Sequence, residues 1–138
     1  MTKYYAVIDT NVIVSSFLKS DSIPRQIVDF ALTGPIIPLL SKEIIKEYKT
    51  VLLRNRFGFN KDKIEIFISE LFKRAYFIDR TKTDELFIDQ SDVVFYEVVL
   101  TARHSAGAYL ITGNKKHFPV KPYVVTPREM LKIIEENM

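Results

Sequence analysis

The sequence predicts an α/β fold, a parallel sheet of about five strands with helices on both faces. Two observations carry that reading. Short apolar runs, such as Tyr4 to Ile8, Ile36 to Leu40 and Ala108 to Ile111, alternate with longer stretches of helical periodicity along the chain. Such alternation is the mark of strand–helix–strand units. The runs are also bounded by residues that start or stop helices: Gly34-Pro35, Ser41, Gly58 and Thr126-Pro127. No internal repeat, low-complexity tract or linker breaks the pattern, so one domain over residues 1–138 is expected.

The elements follow in order. Tyr4 to Ile8 is the first strand, and Asn11 is suited to cap a helix reaching about Leu18. After a polar loop, Pro24 opens a second helix with Ile27, Val28, Phe30, Ala31 and Leu32 on its apolar face, ended by Gly34-Pro35. Ile36 to Leu40 is strand two. Ser41 caps a third helix, 42–54, whose apolar side holds Ile44, Ile45, Tyr48, Val51 and Leu52. Residues 55–60 form a turn and 61–72 a fourth helix. Strand three is expected over 75–78, followed by a polar loop over 79–88. A fifth helix begins near Ser91 or Asp92 and runs to about Ser105. Strand four is 108–111, a basic loop spans 115–122, strand five is 123–125, and Thr126-Pro127 opens the last helix.

Composition excludes several functions. With no Cys, disulfides, zinc–thiolate sites and cysteine catalysis are ruled out. The N-terminus has no signal-peptide pattern, and the apolar runs fall far short of the roughly 20 residues of a membrane span. A cytoplasmic chain with no membrane role is expected. The net charge of +3 permits a polyanionic partner without demonstrating one.

Four stretches carry candidate chemistry. Asp9 ends strand one, where a parallel sheet commonly places a ligand-binding acid; the alternative is a simple helix cap. Glu47 lies on helix three about 100° from the apolar centre at Tyr48, on the flank near the same sheet edge. Its bland reading is a surface acid paired with Lys46 or Arg54. Asp89 and Asp92 begin helix five, where acids also serve the helix dipole, and Glu97 follows one turn on. Thr112, Gly113 and Asn114 end strand four; Thr112 is placed to orient a carboxylate and Asn114 offers a carbonyl oxygen. Lys115, Lys116, His117 and Lys121 follow, a positive loop suited to backbone phosphates or simply to water. Carboxylates gathered at one edge repel unless a cation compensates them. Oxygen donors without Cys suit Mg2+ or Mn2+.

The ordered set of VIDTNV (Asp9), SKEIIKEY (Glu47), DQSDVVFYE (Asp89, Asp92, Glu97) and AYLITGNKKHF (Asn114) resembles the PIN-domain family, in particular its VapC-like toxins. The resemblance covers nearly the whole chain. It implies a three-layer α/β/α sandwich and a Mg2+- or Mn2+-dependent endoribonuclease. By matching position, Asp9, Glu47 and Asp92 are the implied catalytic and metal-site acids, with Asp89 and Glu97 as outer members. Asn114 stands where many relatives carry Asp, which bears on whether a second metal binds. Thr10, Asn11 and Thr112 are implied to fix the carboxylates, and Lys115, Lys116 and His117 to steer RNA. A small antitoxin protein and a second copy of the chain are the implied partners.

Two rival readings remain open. A phosphatase of the haloacid-dehalogenase type also ends its first strand in Asp but needs an acid two residues on, where this chain has Asn11. A PIN-like RNA-binding or assembly module with weak or no catalysis is the stronger rival, favoured by the neutral Asn114.

Overall fold

Strands β1 (Tyr4–Ile8), β2 (Ile36–Leu40), β3 (Tyr76–Phe77), β4 (Tyr109–Ile111) and β5 (Val124–Val125) form one sheet in the order β3-β2-β1-β4-β5. These elements come from a computed structural model that describes residues 2–80, 82–87 and 89–138. Every pairing is parallel: Tyr5 lies opposite Ile37, Val7 opposite Leu110, Leu40 opposite Phe77 and Ile111 opposite Val125. The six helices are α1 (Thr10–Leu18), α2 (Ile23–Thr33), α3 (Lys42–Leu52), α4 (Lys61–Arg74), α5 (Val93–Ala102) and α6 (Pro127–Glu136). They flank the sheet as an α/β/α sandwich.

The central strands read as unbroken apolar runs because both of their faces are covered. All of β2 is buried, and Ala6, Val7, Leu110 and Ile111 are wholly inaccessible. Helix α5 packs on β1, β4 and β2, while α2 packs on β2 and α6. Helix starts follow side-chain capping. Ser22, Ser41 and Asn60 each accept a bond from the backbone N–H three residues on, and Thr126 with Glu129 forms a capping box.

The first helix departs from expectation. It begins at Thr10, so the capping position belongs to Asp9, whose side chain makes no capping bond. Asn11 lies inside the helix, and its side chain is used elsewhere. Asp92 also precedes its helix: residues Gln90–Asp92 form a 3-10 turn before α5 starts at Val93. Of the polar loop expected over 79–88, Thr81 and Ile88 lie outside the described residues. Between them, residues 82–87 have no regular structure.

The strand order places the site. The order in which strands are added reverses at β1: the chain crosses from β1 outward to β2 and β3, then returns to the other side of β1 as β4, every strand staying parallel. A crevice opens outside the carboxyl ends of two strands at such a switch point. Asp9 leaves β1 and Thr112 leaves β4 at that crevice, tied by the Asp9 N–H donating to the Ile111 carbonyl at 2.8 Å.

Candidate active site

Asp9 is only 5% exposed, and its Oδ2 is held by two donors. The Thr112 hydroxyl donates at 2.8 Å and the Asn11 side-chain amide at 3.1 Å. The other end of the Asn11 amide accepts from the Gly113 N–H at 3.0 Å. Thr112 Oγ1 in turn accepts from the Asn114 N–H at 3.0 Å. The two strand ends are thus laced through one carboxylate. Gly113 permits the close approach, since a Cβ there would stand 3.3 Å from Asn11 Oδ1. Below, the buried Tyr48 hydroxyl donates to the Ile8 carbonyl, steadying the residue before the acid.

Burial pushes the Asp9 carboxyl above its ordinary pKa. The Thr112 hydroxyl, the Thr10 amide and His117 oppose that push, and the nearby charge of Glu47 adds to it. Asp92 is raised to about 6 by burial, then by the charges of Asp9 and Asp89, against a downward pull from His117. Its Oδ2 is buried with no hydrogen-bond partner and lies 3.4 Å from His117 Nδ1. Burial also raises the Tyr48 phenol, and the charge of Asp9 adds to the effect, so it stays a neutral donor.

A cleft of about 430 Å3 collects these groups. Asp9, Thr10, Asn11, Glu47, Asp89, Asp92, Asn114 and His117 all line it. Asp89 is exposed and caps its own turn, accepting from the Ser91 N–H at 2.9 Å and the Ser91 hydroxyl at 2.8 Å. Those bonds hold its carboxyl below the usual range. Asn114 is turned toward His117, its amide nitrogen 3.3 Å from Nε2 and 3.4 Å from Nδ1. Among the described residues, no three Asp, Glu or His side chains converge as a ready cation site.

Glu97 is not brought to this cleft. Its buried carboxylate accepts from the Thr83 N–H at 2.7 Å and lies 3.6 Å from Arg80 Nε, so it anchors the segment before the 3-10 turn. The basic run divides as well: Lys115 pairs with Glu129 at 3.1 Å, His117 faces Asp92, and Lys116 is exposed. Lys121 lies 3.6 Å from Glu85.

Sequence reasoning passed over Tyr48 as a core residue and Arg56 and Phe57 as turn residues. All of Arg54, Arg56 and Phe57 line the cleft. The pairing of Glu47 with Lys46 or Arg54, the alternative to a site role, is not formed, and neither Arg54 nor Arg56 has a carboxylate partner among the described residues. The signal that was present is the juxtaposition of two arginines with an aromatic before Gly58.

Comparison with known proteins bears on the fold and the family. A search of curated proteins gives no match. A solved structure of VapBC2 from Rickettsia felis, bound to a DNA fragment from its promoter, shares the fold with a TM-score of 0.55. It is 13% identical, over 88% of this chain and 96% of that one. The sequence model of the PIN domain matches residues 5–116, which includes every cleft-lining acid, and the chain therefore belongs to the PIN-domain family.

Proposed function

We propose that the protein is a metal-dependent ribonuclease that hydrolyses RNA phosphodiester bonds, with Asp9 and Asp92 as the cation-holding pair. The observation that carries this reading is the buried Oδ2 of Asp92, which accepts no hydrogen bond and faces only His117 Nδ1 at 3.4 Å, in a cleft where the charge of Asp9 raises its proton affinity. Two desolvated carboxylates in such a place fit a hard, oxygen-seeking cation. Mg2+ commonly takes one or two carboxylates and keeps waters and phosphate oxygens for the rest, so a pair is enough. When bound, the ion would lower the pKa of a water and offset charge developing on the phosphate.

The chain's own residues do the remaining work. Thr112 and Asn11 hold Asp9 in one orientation, and the Thr112 bond opposes the upward push of burial on its carboxyl. Glu47 lines the same cleft and supplies an acceptor able to orient an attacking water. Asn114 offers a neutral oxygen where a further acid would add charge. The motif order shared with VapC-like toxins supports an antitoxin-controlled role for the activity.

The test is direct. Purified protein should cut single-stranded RNA with Mn2+, and should lose that activity in EDTA and as Asp9→Asn. Cleavage that survives EDTA, or that Asp9→Asn retains in full, overturns the mechanism. The orientation of Asn114 toward His117 favours a second reading, an RNA-binding or assembly module without catalysis. Calorimetric titration separates the two: no heat of Mn2+ binding at millimolar concentration selects the module.

A further inference from the structure

The positive charge free to meet a phosphate at this cleft does not lie only on the lysine run after β4. It lies also on the loop between α3 and α4. Arg54 and Arg56 are exposed and line the cleft beside Asp9, Glu47 and Asp92. Four of the other five arginines are committed, and Arg128, exposed on α6, does not line the cleft. Arg25 pairs with Asp29, Arg74 donates to the carbonyls of Phe30, Ala31, Gly34 and Ile36, and Arg80 lies against Glu43 and Glu97. Arg103 donates to the Ala108 carbonyl and covers the Tyr123 ring. Arg54 and Arg56 stay without a carboxylate partner among the described residues, although four acids line their cleft.

The same loop carries an aromatic ring into the cleft. Phe57 is half-buried and stacks on Phe59, with centroids 5.2 Å apart and planes 6° from parallel. Phe59 packs on Phe17, and Phe17 on the buried Phe67, each at 5.2 Å. This chain of rings ties the loop to the core. Gly58 turns the backbone between the two loop phenylalanines with φ +61°, a conformation that other residues rarely adopt. The Arg56 guanidinium lies 4.9 Å from the Phe57 centroid. It is a planar, mobile cation that can stack on a base or yield its place to one.

We propose that residues Arg54, Arg56 and Phe57 form the seat for an unpaired RNA strand: the arginines hold backbone phosphate and Phe57 stacks a base. This rests on the cleft being an RNA site. A base must leave its duplex to lie on a ring, so the seat selects single-stranded over duplex RNA. It does so without reading sequence, because every base has a stacking face.

Fluorescence anisotropy with a fluorescein-labelled single-stranded RNA, and with the same strand annealed into a duplex, tests this. EDTA in the buffer removes hydrolysis from the measurement. The wild type should prefer the single strand. Phe57→Ala should weaken single-strand binding by roughly 5- to 150-fold and leave the duplex unchanged. Phe57→Tyr should keep the affinity. Phe57→Leu preserves apolar contact with Phe59, so its loss of affinity with an unchanged melting temperature separates stacking from folding. Arg54→Gln should weaken both RNAs and reduce the single-strand salt slope by about 0.7.

The proposal is overturned if wild type fails to bind the single strand, if Phe57→Leu binds as tightly as wild type, or if both RNAs lose equally on Phe57→Ala. If the variants lose single-strand affinity while wild type with Mn2+ cuts nothing, the nuclease reading fails and the seat stands. If wild type cuts RNA and the variants bind and cut as well as it does, the seat fails and the nuclease stands.

Discussion

Asp9 and Asp92 face one cleft, but the chain delivers them by different means. Asp9 leaves a central strand paired on both sides and is gripped by Thr112 and Asn11. Asp92 ends a three-residue 3-10 turn reached through an irregular segment. That segment is tied back by Glu97 to Thr83 and by the Tyr96 hydroxyl to Glu85. One Asp92 oxygen has no hydrogen-bond partner. The contrast teaches how a fold can present two carboxylates to the proposed cation without closing the site. One carboxylate is fixed in advance by the sheet. The other is left with spare acceptor capacity, to be satisfied by whatever enters.

The largest effect that tests this contrast is on cleavage. Asp92→Asn should abolish RNA hydrolysis as completely as Asp9→Asn, beyond the roughly 10- to 100-fold typical of groups that only orient a ligand. A time course on single-stranded RNA with Mn2+ measures it. Substantial residual activity in Asp92→Asn would make Asp9 the sole essential acid and dissolve the pair.

Next comes the grip on the fixed member. Thr112→Val removes the donor to Asp9 and the acceptor for the Asn114 N–H together. Cleavage should fall by about 10- to 100-fold and urea unfolding should show a loss of about 1–3 kcal/mol. An unchanged rate would mean that Asp9 does not need the hydroxyl to hold its orientation.

The pH dependence of stability sharpens the other side. The folded pKa of Asp92 stands near 6, above its unfolded value of 3.8. Between those values the folded state binds more protons, so stability of the metal-free protein should fall as pH rises from about 4 to 6 and then level off. The loss assigned to Asp92 is about 1–2 kcal/mol once solvent screening of this partly exposed group is allowed for. Asp92→Asn should flatten that part of the curve, as read by urea midpoints across the range. The smallest effect is expected below the sheet edge. Tyr48→Phe removes the bond to the Ile8 carbonyl and should cost about 1 kcal/mol in urea unfolding.

The sheet was legible because strands buried on both faces must be apolar throughout, as in Ile36 to Leu40. The carboxyl edge followed from it, and with it Asp9, Glu47 and Asp92 as neighbours. Other roles were hidden for identifiable reasons. Asn11 reads as a cap on local pattern, and only the family resemblance ties it to Asp9, because its bond to Gly113 needs a strand end about a hundred residues away. Glu97 sits in a helix buried from Val94 to Val99, where periodicity cannot say which way a side chain points. Lys115 meets Glu129 only because α6 returns to the same edge. Arg54, Arg56 and Phe57 look like any polar turn until tertiary packing brings that turn to the cleft.

The Asn11 side chain also decides which chemistry this edge can evolve toward. Its nitrogen must face Asp9 and its oxygen must face Gly113, so neither end of the amide is interchangeable. An aspartate at this position, the acid a haloacid-dehalogenase-type phosphatase would need, would turn an acceptor and a negative charge toward Asp9. Exchange of that nitrogen for oxygen would keep the bond from Gly113 but break the one to Asp9, while adding a fresh charge to a crowded cleft. The two chemistries are separated at residue 11 by a single atom.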